Sequence, residues 1–188
     1  MKVFINPGHD TTYDSGAVNP NTGLRECDVA AEVGALAVDY LEAAGCECQI
    51  MQSDNLAPTS AGRSFYDDRQ GATVTETAND WGADIFVSIH CNAFNEAARG
   101  TEVEVYQYGG EAEKLANCIQ KQIVDALGTL DRGVKERPNL VVLKRTDMPA
   151  VLVELAFIDE ENDEVLLRTK QDDFARAIAR GVTDYENL

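Results

Sequence analysis

The sequence predicts a single α/β domain built on a mostly parallel, twisted sheet with helices on both faces. Three observations carry this. The length of 188 residues suits one domain of ordinary size. Short apolar strands alternate with helical patterns along the chain. Two of those strands, "FVSI" and "AVLVEL", are almost continuous in apolar residues, as strands covered on both faces are. No repeat, low-complexity segment or interdomain linker interrupts the pattern, so residues 1–188 read as one unit.

Taken in order, "KVFI" is the first strand, followed by a polar, glycine-bearing loop to about residue 23. "ECDVAAEVGALAVDYLEAAG" is a helix: Val29, Val33, Leu36 and Tyr40 fall on one face, and Gly45 ends it. "ECQIMQ" is a second strand and "NLAPTSAG" a loop. Residues 63–81 are polar and helical in part, although the β-branched residues of "ATVTET" weaken a helix. "DIFVSIH" is a strongly apolar strand; "TEVEVYQY" alternates and reads as an exposed or edge strand. "EAEKLANCIQKQIVDALG" is an amphipathic helix with Leu115, Ile119, Ile123 and Leu127 on one side. "NLVVLK" and "PAVLVEL" read as two more strands, and an acidic turn leads to a closing helix carrying Phe174, Ile178 and Tyr185.

Composition narrows the partners. Lys and Arg total 16 against 33 Asp and Glu, a net charge of −17. Nucleic-acid binding needs clustered cations, so it is not expected; adhesion to an anionic membrane is not expected either. Five cysteines, an odd number without a CxxC pair, argue against a disulfide framework or a zinc knuckle. Cys46 and Cys48 lie where a helix gives way to a strand, and free, mostly buried thiols fit a reducing compartment of synthesis. The opening stretch is too short for the apolar region of a signal peptide, and no run approaches a membrane span.

In open α/β sheets, ligands bind beyond the carboxyl ends of the strands. His9, in "INPGHD", follows the first strand; His90 ends "DIFVSI"; Glu154 ends "PAVLV"; Glu26 opens the first long helix. These are the only two histidines in the chain. If the strands are parallel neighbours, the four groups converge on one edge. A single histidine after a strand is ordinarily a loop residue, and Glu26 alone would serve the helix dipole. Glu154 lies between "VLV" and "LAF". A buried carboxylate there needs a partner or a chemical role. Two histidines and a carboxylate around an open position make a catalytic zinc set, and a further carboxylate can act as its general base. Cys91 follows His90 and should turn to the opposite face of the strand. A Cys91–His90 nucleophilic pair is an alternative, but it leaves His9 and Glu26 without a role.

These residues also carry a resemblance. "INPGHD" with "DSGAV", then "GLRE", "ANDWGADIFVSIHCNA", "GTEVEVY", "DRGVKE" and "LVVLKRTDMPAVLVELAFI" run in order over nearly the whole chain. The sequence resembles the zinc-dependent N-acetylmuramoyl-L-alanine amidases of the amidase-3 type, which cut bacterial peptidoglycan. The resemblance implies a twisted sheet of about six strands, one zinc ion held by His9, Glu26 and His90, and Glu154 as the catalytic glutamate. It implies hydrolysis of the amide between N-acetylmuramic acid and L-alanine by a protein, expected to be a monomer, whose partner is peptidoglycan. Asn92, Arg132 and Lys135 are candidate substrate contacts, as are Lys144 and Arg145, because the stem peptide carries carboxylates. Three departures stand beside this set: Ala156 where the family usually has Gly, Asp159–Glu160 where it usually has Ser-Asn, and Arg69 upstream of the usual position of an arginine. The implied place of action is the cell wall; without a visible signal peptide, a phage-type lysin, a trimmed secreted autolysin and a spore enzyme stay open. Two other classes share the features: a zinc peptidase that trims the stem peptide, and a non-catalytic wall-binding domain.

Overall fold

A computed structural model describes residues 1–58 and 72–188. Among the described residues the chain order is β1 (Lys2–Pro7), α1 (Glu26–Ala43), β2 (Glu47–Ile50), α2 (Val74–Trp81), β3 (Ile85–Asn92), β4 (Thr101–Val105), α3 (Glu111–Leu127), β5 (Asp131–Glu136), α4 (Val141–Lys144), β6 (Ala150–Phe157), α5 (Glu161–Thr169) and α6 (Gln171–Glu186). The six strands form one sheet in the order β2-β1-β3-β6-β4-β5. Every pairing is parallel except β4 with β6. Arg69 and the first part of the stretch expected to be partly helical lie outside the described residues.

Alternation along the strands divides the core into two layers. Val3, Ile5, Val87, Ile89, Val151, Val153 and Leu155 point to one face and pack with apolar residues of α1, α3 and α6. Phe4, Phe86, Ala150 and Leu152 point to the other and pack with Val74 and Ala78 of α2 and Val142 and Leu143 of α4. Phe4 and Phe86, partners in the β1–β3 register, stack with centroids 5.6 Å apart. Each fully buried large side chain contributes about 1.5–3 kcal/mol of transfer free energy, so the thicker face holds most of the stability. The thinner face has few apolar residues toward the carboxyl ends of β3 and β6, where His90 and Glu154 lie side by side in register. On β1, the neighbours β2 and β3 lie on opposite sides. This reversal of strand order opens a crevice at the carboxyl ends of β1 and β3.

Three expected elements differ from those observed. "NLVVLK" contains a single helical turn, α4, rather than a strand. An apolar run this short does not distinguish the two, and the turn lets Val142 and Leu143 both face the thin layer. "TEVEV" is neither exposed nor at the edge: β4 lies between β6 and β5, and all five of its residues are buried. Its alternating glutamates are enclosed by cations instead of water. The edge strand on that side of the sheet is β5, "DRGVKE", whose polar residues gave no strand signal; charge on an edge discourages pairing with another chain. The acidic turn before the final helix is itself helix, α5. Glu160 caps it by accepting from the Asn162 and Asp163 amides. Asp159, the other half of the departure from Ser-Asn, accepts from the Phe94 and Glu96 amides and so anchors the loop after β3.

Candidate active site

The β1–β3 ladder runs one residue past Pro7, with the Gly8 amide donating to the Ile89 carbonyl at 2.8 Å. The chain then leaves the sheet at His9, whose φ of 61° is left-handed. This conformation costs a residue other than glycine about 1–2 kcal/mol. A loop that fixes the turn offsets it: Asp10 accepts from the Thr12 and Tyr13 amides, and the Asp10 amide donates to the Asp14 carbonyl at 2.8 Å. The turn aims the imidazole at the start of α1. Its Nδ1 lies 2.9 Å from Asp14 Oδ2, and the other Asp14 oxygen accepts from the Gly16 amide at 3.0 Å. A carboxylate on one ring nitrogen fixes the tautomer and leaves the other nitrogen as the ligand.

That nitrogen, His9 Nε2, lies 3.2 Å from Glu26 Oε1, and His90 Nδ1 lies 2.9 Å from the same oxygen. Glu26 is the first residue of α1 and only 4% exposed. Backbone donors hold its carboxylate: Ala17 donates to Oε2 at 2.8 Å and Cys91 to Oε1 at 3.0 Å. The candidate ligand atoms of His9, Glu26 and His90 all lie within 4.8 Å of one another. The imidazole rings meet edge to face at 5.0 Å. Glycine keeps the space clear. A Cβ on Gly16 would come within 2.5 Å of Glu26 Oε2 and 2.8 Å of His9 Nε2, and one on Gly8 would overlap the His90 ring.

The electrostatics of the cluster match its packing. Burial opposes charge on Glu26, but hydrogen bonds from both imidazoles overcome it and hold the carboxyl far below its ordinary range. Burial likewise disfavours charge on His9, yet Glu26 and Asp14 raise it to about 9. Three side chains are thus tied to one another with two nitrogens and a carboxylate oxygen turned inward, which is the donor chemistry of a zinc site.

Glu154 differs. It is partly exposed, but its Oε2 is enclosed and has no hydrogen-bond partner among the described residues. Burial, then the nearby Glu26, Glu104 and Glu102, push its carboxyl well above the ordinary range; Arg137 pulls the other way. An unpartnered carboxylate of raised pKa next to a metal-type cluster is suited to proton transfer.

The other expected residues divide. Asn92, Arg132 and Lys135 all contact one buried carboxylate, Glu102, which is the register partner of Glu154 on β4. Lys144 and Arg145 instead close α4, ahead of the amino end of β6 and so at the opposite end of that strand from Glu154. Cys91 is 3% exposed and packs in the thick layer; burial drives its thiol well above the ordinary value, the reverse of what a nucleophile needs. Asp14, Glu102 and Arg137 were missed as contributors to the site. For Asp14 a signal existed, since it lies five residues after His9 in a turn rich in Asp, Ser and Gly. For Glu102 and Arg137 it did not, because their proximity depends on the antiparallel β4–β6 pairing.

Comparisons with known proteins identify the family. The chain is 37% identical over 187 residues to Bacillus subtilis YqiI, covering 97% of this chain and 84% of that protein. It is 34% identical over 184 residues to the sporulation-specific N-acetylmuramoyl-L-alanine amidase of Bacillus subtilis, covering 96% of this chain and 65% of that protein. The structure of the N-acetylmuramoyl-L-alanine amidase AmiC2 of Nostoc punctiforme superposes with a TM-score of 0.84 at 28% identity, covering 100% of this chain and 98% of that one. Residues 3–184 match the family model described as N-acetylmuramoyl-L-alanine amidase, and the chain belongs to that family.

Proposed function

We propose that residues 1–188 form the catalytic domain of a zinc-dependent peptidoglycan amidase that hydrolyses the bond between the lactyl group of N-acetylmuramic acid and L-alanine, and that it acts at the cell wall. The observation that carries this is the closed cluster of His9, Glu26 and His90 with the unpartnered Glu154 oxygen alongside. The residues fit the metal. Asp14 and the Ala17 and Cys91 amides orient His9 and Glu26, and the absence of side chains at Gly8 and Gly16 leaves room around the inward-facing atoms. What zinc supplies when bound is Lewis acidity, which brings the pKa of water at the site toward neutrality and polarises the scissile carbonyl.

Glu154 does the proton work. Its raised pKa lets it take a proton from the attacking water and then release it to the departing L-alanine nitrogen, so that an amine rather than an amide anion leaves. Wall-bound glycan keeps the lactyl acid and the stem peptide departs intact. Among the described residues no helix is long and apolar enough to cross a membrane.

The test is digestion of purified walls, with metal content measured on the same preparation. Zinc at one equivalent, release of intact stem peptides, loss of release after chelation and recovery on adding zinc are expected. Glu154→Gln should keep its zinc and lose release by at least about a hundredfold. Fragments cut within the stem peptide would replace the amidase with a peptidase; wall binding without hydrolysis in a zinc-loaded protein would replace it with a binding domain.

A further inference from the structure

A second charged group stands beside the four residues of the site, on the same face of the sheet. Register places His90 next to Glu154 and Glu154 next to Glu102, across β3, β6 and β4. Glu102 is 2% exposed and Glu104 6%. Glu102 Oε2 accepts from Arg132 Nε and Lys135 Nζ, each at 2.5 Å. Glu104 Oε1 accepts from Arg137 Nε at 2.9 Å, and Arg137 Nη2 lies 4.0 Å from Glu102 Oε1. Three cations therefore cluster on two buried carboxylates in a chain of net charge −17.

Burying two carboxylates is expensive, and apolar residues would cover this part of the sheet as well. What the carboxylates accomplish is to hold three cationic heads at the surface. The side chains of Arg132 and Lys135 stay 28% and 29% exposed, and that of Arg137 50%. Arg137 commits only its Nε to a hydrogen bond among the described residues. The Nη edge of the guanidinium is the half that takes a carboxylate in a forked pair.

We propose that Arg137, backed by Arg132 and Lys135, is the subsite for a carboxylate carried by the stem peptide on the leaving side of the scissile amide. This rests on the amidase reading above and names the group it recognises: a free carboxylate carried about two residues beyond the scissile amide. Distances permit it. Adjacent strands lie about 4.8 Å apart and an extended peptide advances about 3.4 Å per residue. The cations arise near and beyond β5, two strands from Glu154, and lean back to Glu102 and Glu104 on β4, one strand away. A carboxylate two residues past the scissile bond, about 7 Å along the peptide, reaches them. Glu102 is then a positioning residue, not a participant in the chemistry.

The experiment uses the zinc-loaded protein and two soluble muramyl-peptide substrates that differ only in bearing this group as carboxylate or carboxamide. Wild type should favour the carboxylate. Arg137→Gln should raise KM for the carboxylate substrate about ten- to hundredfold and leave KM for the carboxamide substrate within about twofold; any change in kcat that follows from losing the pull of Arg137 on the Glu154 carboxyl should fall equally on both substrates. Arg137→Lys, which keeps the charge and loses the fork, should fall between. Equal rises in KM on both substrates, or a fall in kcat with KM unchanged, overturn the subsite while leaving the amidase reading intact. Failure of wild type to cleave either substrate overturns both.

Discussion

Asp14→Asn tests the construction of the site most sharply. The substitution is nearly isosteric. Its remaining carbonyl oxygen can still accept from the Gly16 amide, now at 3.0 Å from Asp14 Oδ1, so the loop keeps its shape. What changes is the group 2.9 Å from His9 Nδ1. A carboxylate there can only accept, so Nδ1 carries a proton, and Nε2, which lies 3.2 Å from Glu26 and donates to it in the metal-free protein, is the nitrogen whose lone pair a metal takes once that proton leaves. An amide nitrogen in that place donates, which favours the tautomer with its proton on Nε2, where it blocks a metal. Restoring the useful tautomer requires rotating the amide and giving up the Gly16 contact. Loss of such an orienting carboxylate costs about 10–100-fold in metal affinity, or about 1.4–2.7 kcal/mol. The assay is competition of the metal-free protein against a chromophoric zinc chelator. A change within twofold would refute the role given to Asp14, and with it the argument that the left-handed turn at His9 exists to present Nε2. Thermal stability of the zinc-free variant serves as the control for folding.

Further outcomes follow from the same geometry. In the metal-free protein His9 has a pKa raised from 6.5 to about 9, so the stability its charge contributes is fully present below 6.5 and disappears as pH rises through about 9; thermal melts of chelator-treated protein should fall across that window, and a flat profile would contradict the His9–Glu26–Asp14 network. Zinc needs the neutral ring, so zinc binding at pH 7 should release protons, measurable as a dependence of the binding heat on the ionisation enthalpy of the buffer. A Cβ at Gly181 would come within 2.5 Å of Ile119 Cα, where α6 crosses α3; Gly181→Ala should cost about 1–3 kcal/mol in urea unfolding with kcat unaltered, since the crossing is remote from Glu154. Glu160→Ala removes the cap of α5 and should cost about 1 kcal/mol in the same assay.

How far the sequence discloses the molecule follows from the range of each interaction. The strands that turned out parallel and doubly covered carry their signal locally, in runs such as "FVSI", and the long helices carry theirs in spacing. The four central residues are legible because each is a polar group set at the edge of, or inside, a local apolar or helical run. Misreadings occur where an element's character depends on a neighbour far away in sequence. Glu102 and Glu104 look solvated because alternation with valine ordinarily means one wet face; in the structure they are buried by cations more than 25 residues later, on and just beyond β5. "VVLK" has strand propensity, yet a single turn covering the thin layer buries Val142 and Leu143 together, which a strand would have sent to opposite faces. The turn out of β1 is in His9 itself, and the role of the neighbouring Gly8 is to make room for the His90 ring.

The reversed strand gives this misreading a functional sense. In a wholly parallel sheet, the residues level with Glu154 on the next strand would come from its carboxyl end, and its loop would run over the site. Because β4 runs antiparallel to β6, its first turn of residues, Glu102 and Glu104, lies level with Glu154 and Leu152 instead. The strand then continues away from the metal-type cluster, and β5, parallel to β4, delivers its cations from the same side. The site is therefore closed by the β1 and β3 loops at one flank and left open along β4 and β5 at the other. Along the open flank, the charges that would meet an elongated peptide are the guanidinium and ammonium heads held by Glu102 and Glu104. A bulky acidic replacement such as Lys135→Glu, which reverses one of those heads without touching His9, Glu26, His90 or Glu154, should weaken substrate capture while zinc content stays that of the wild type.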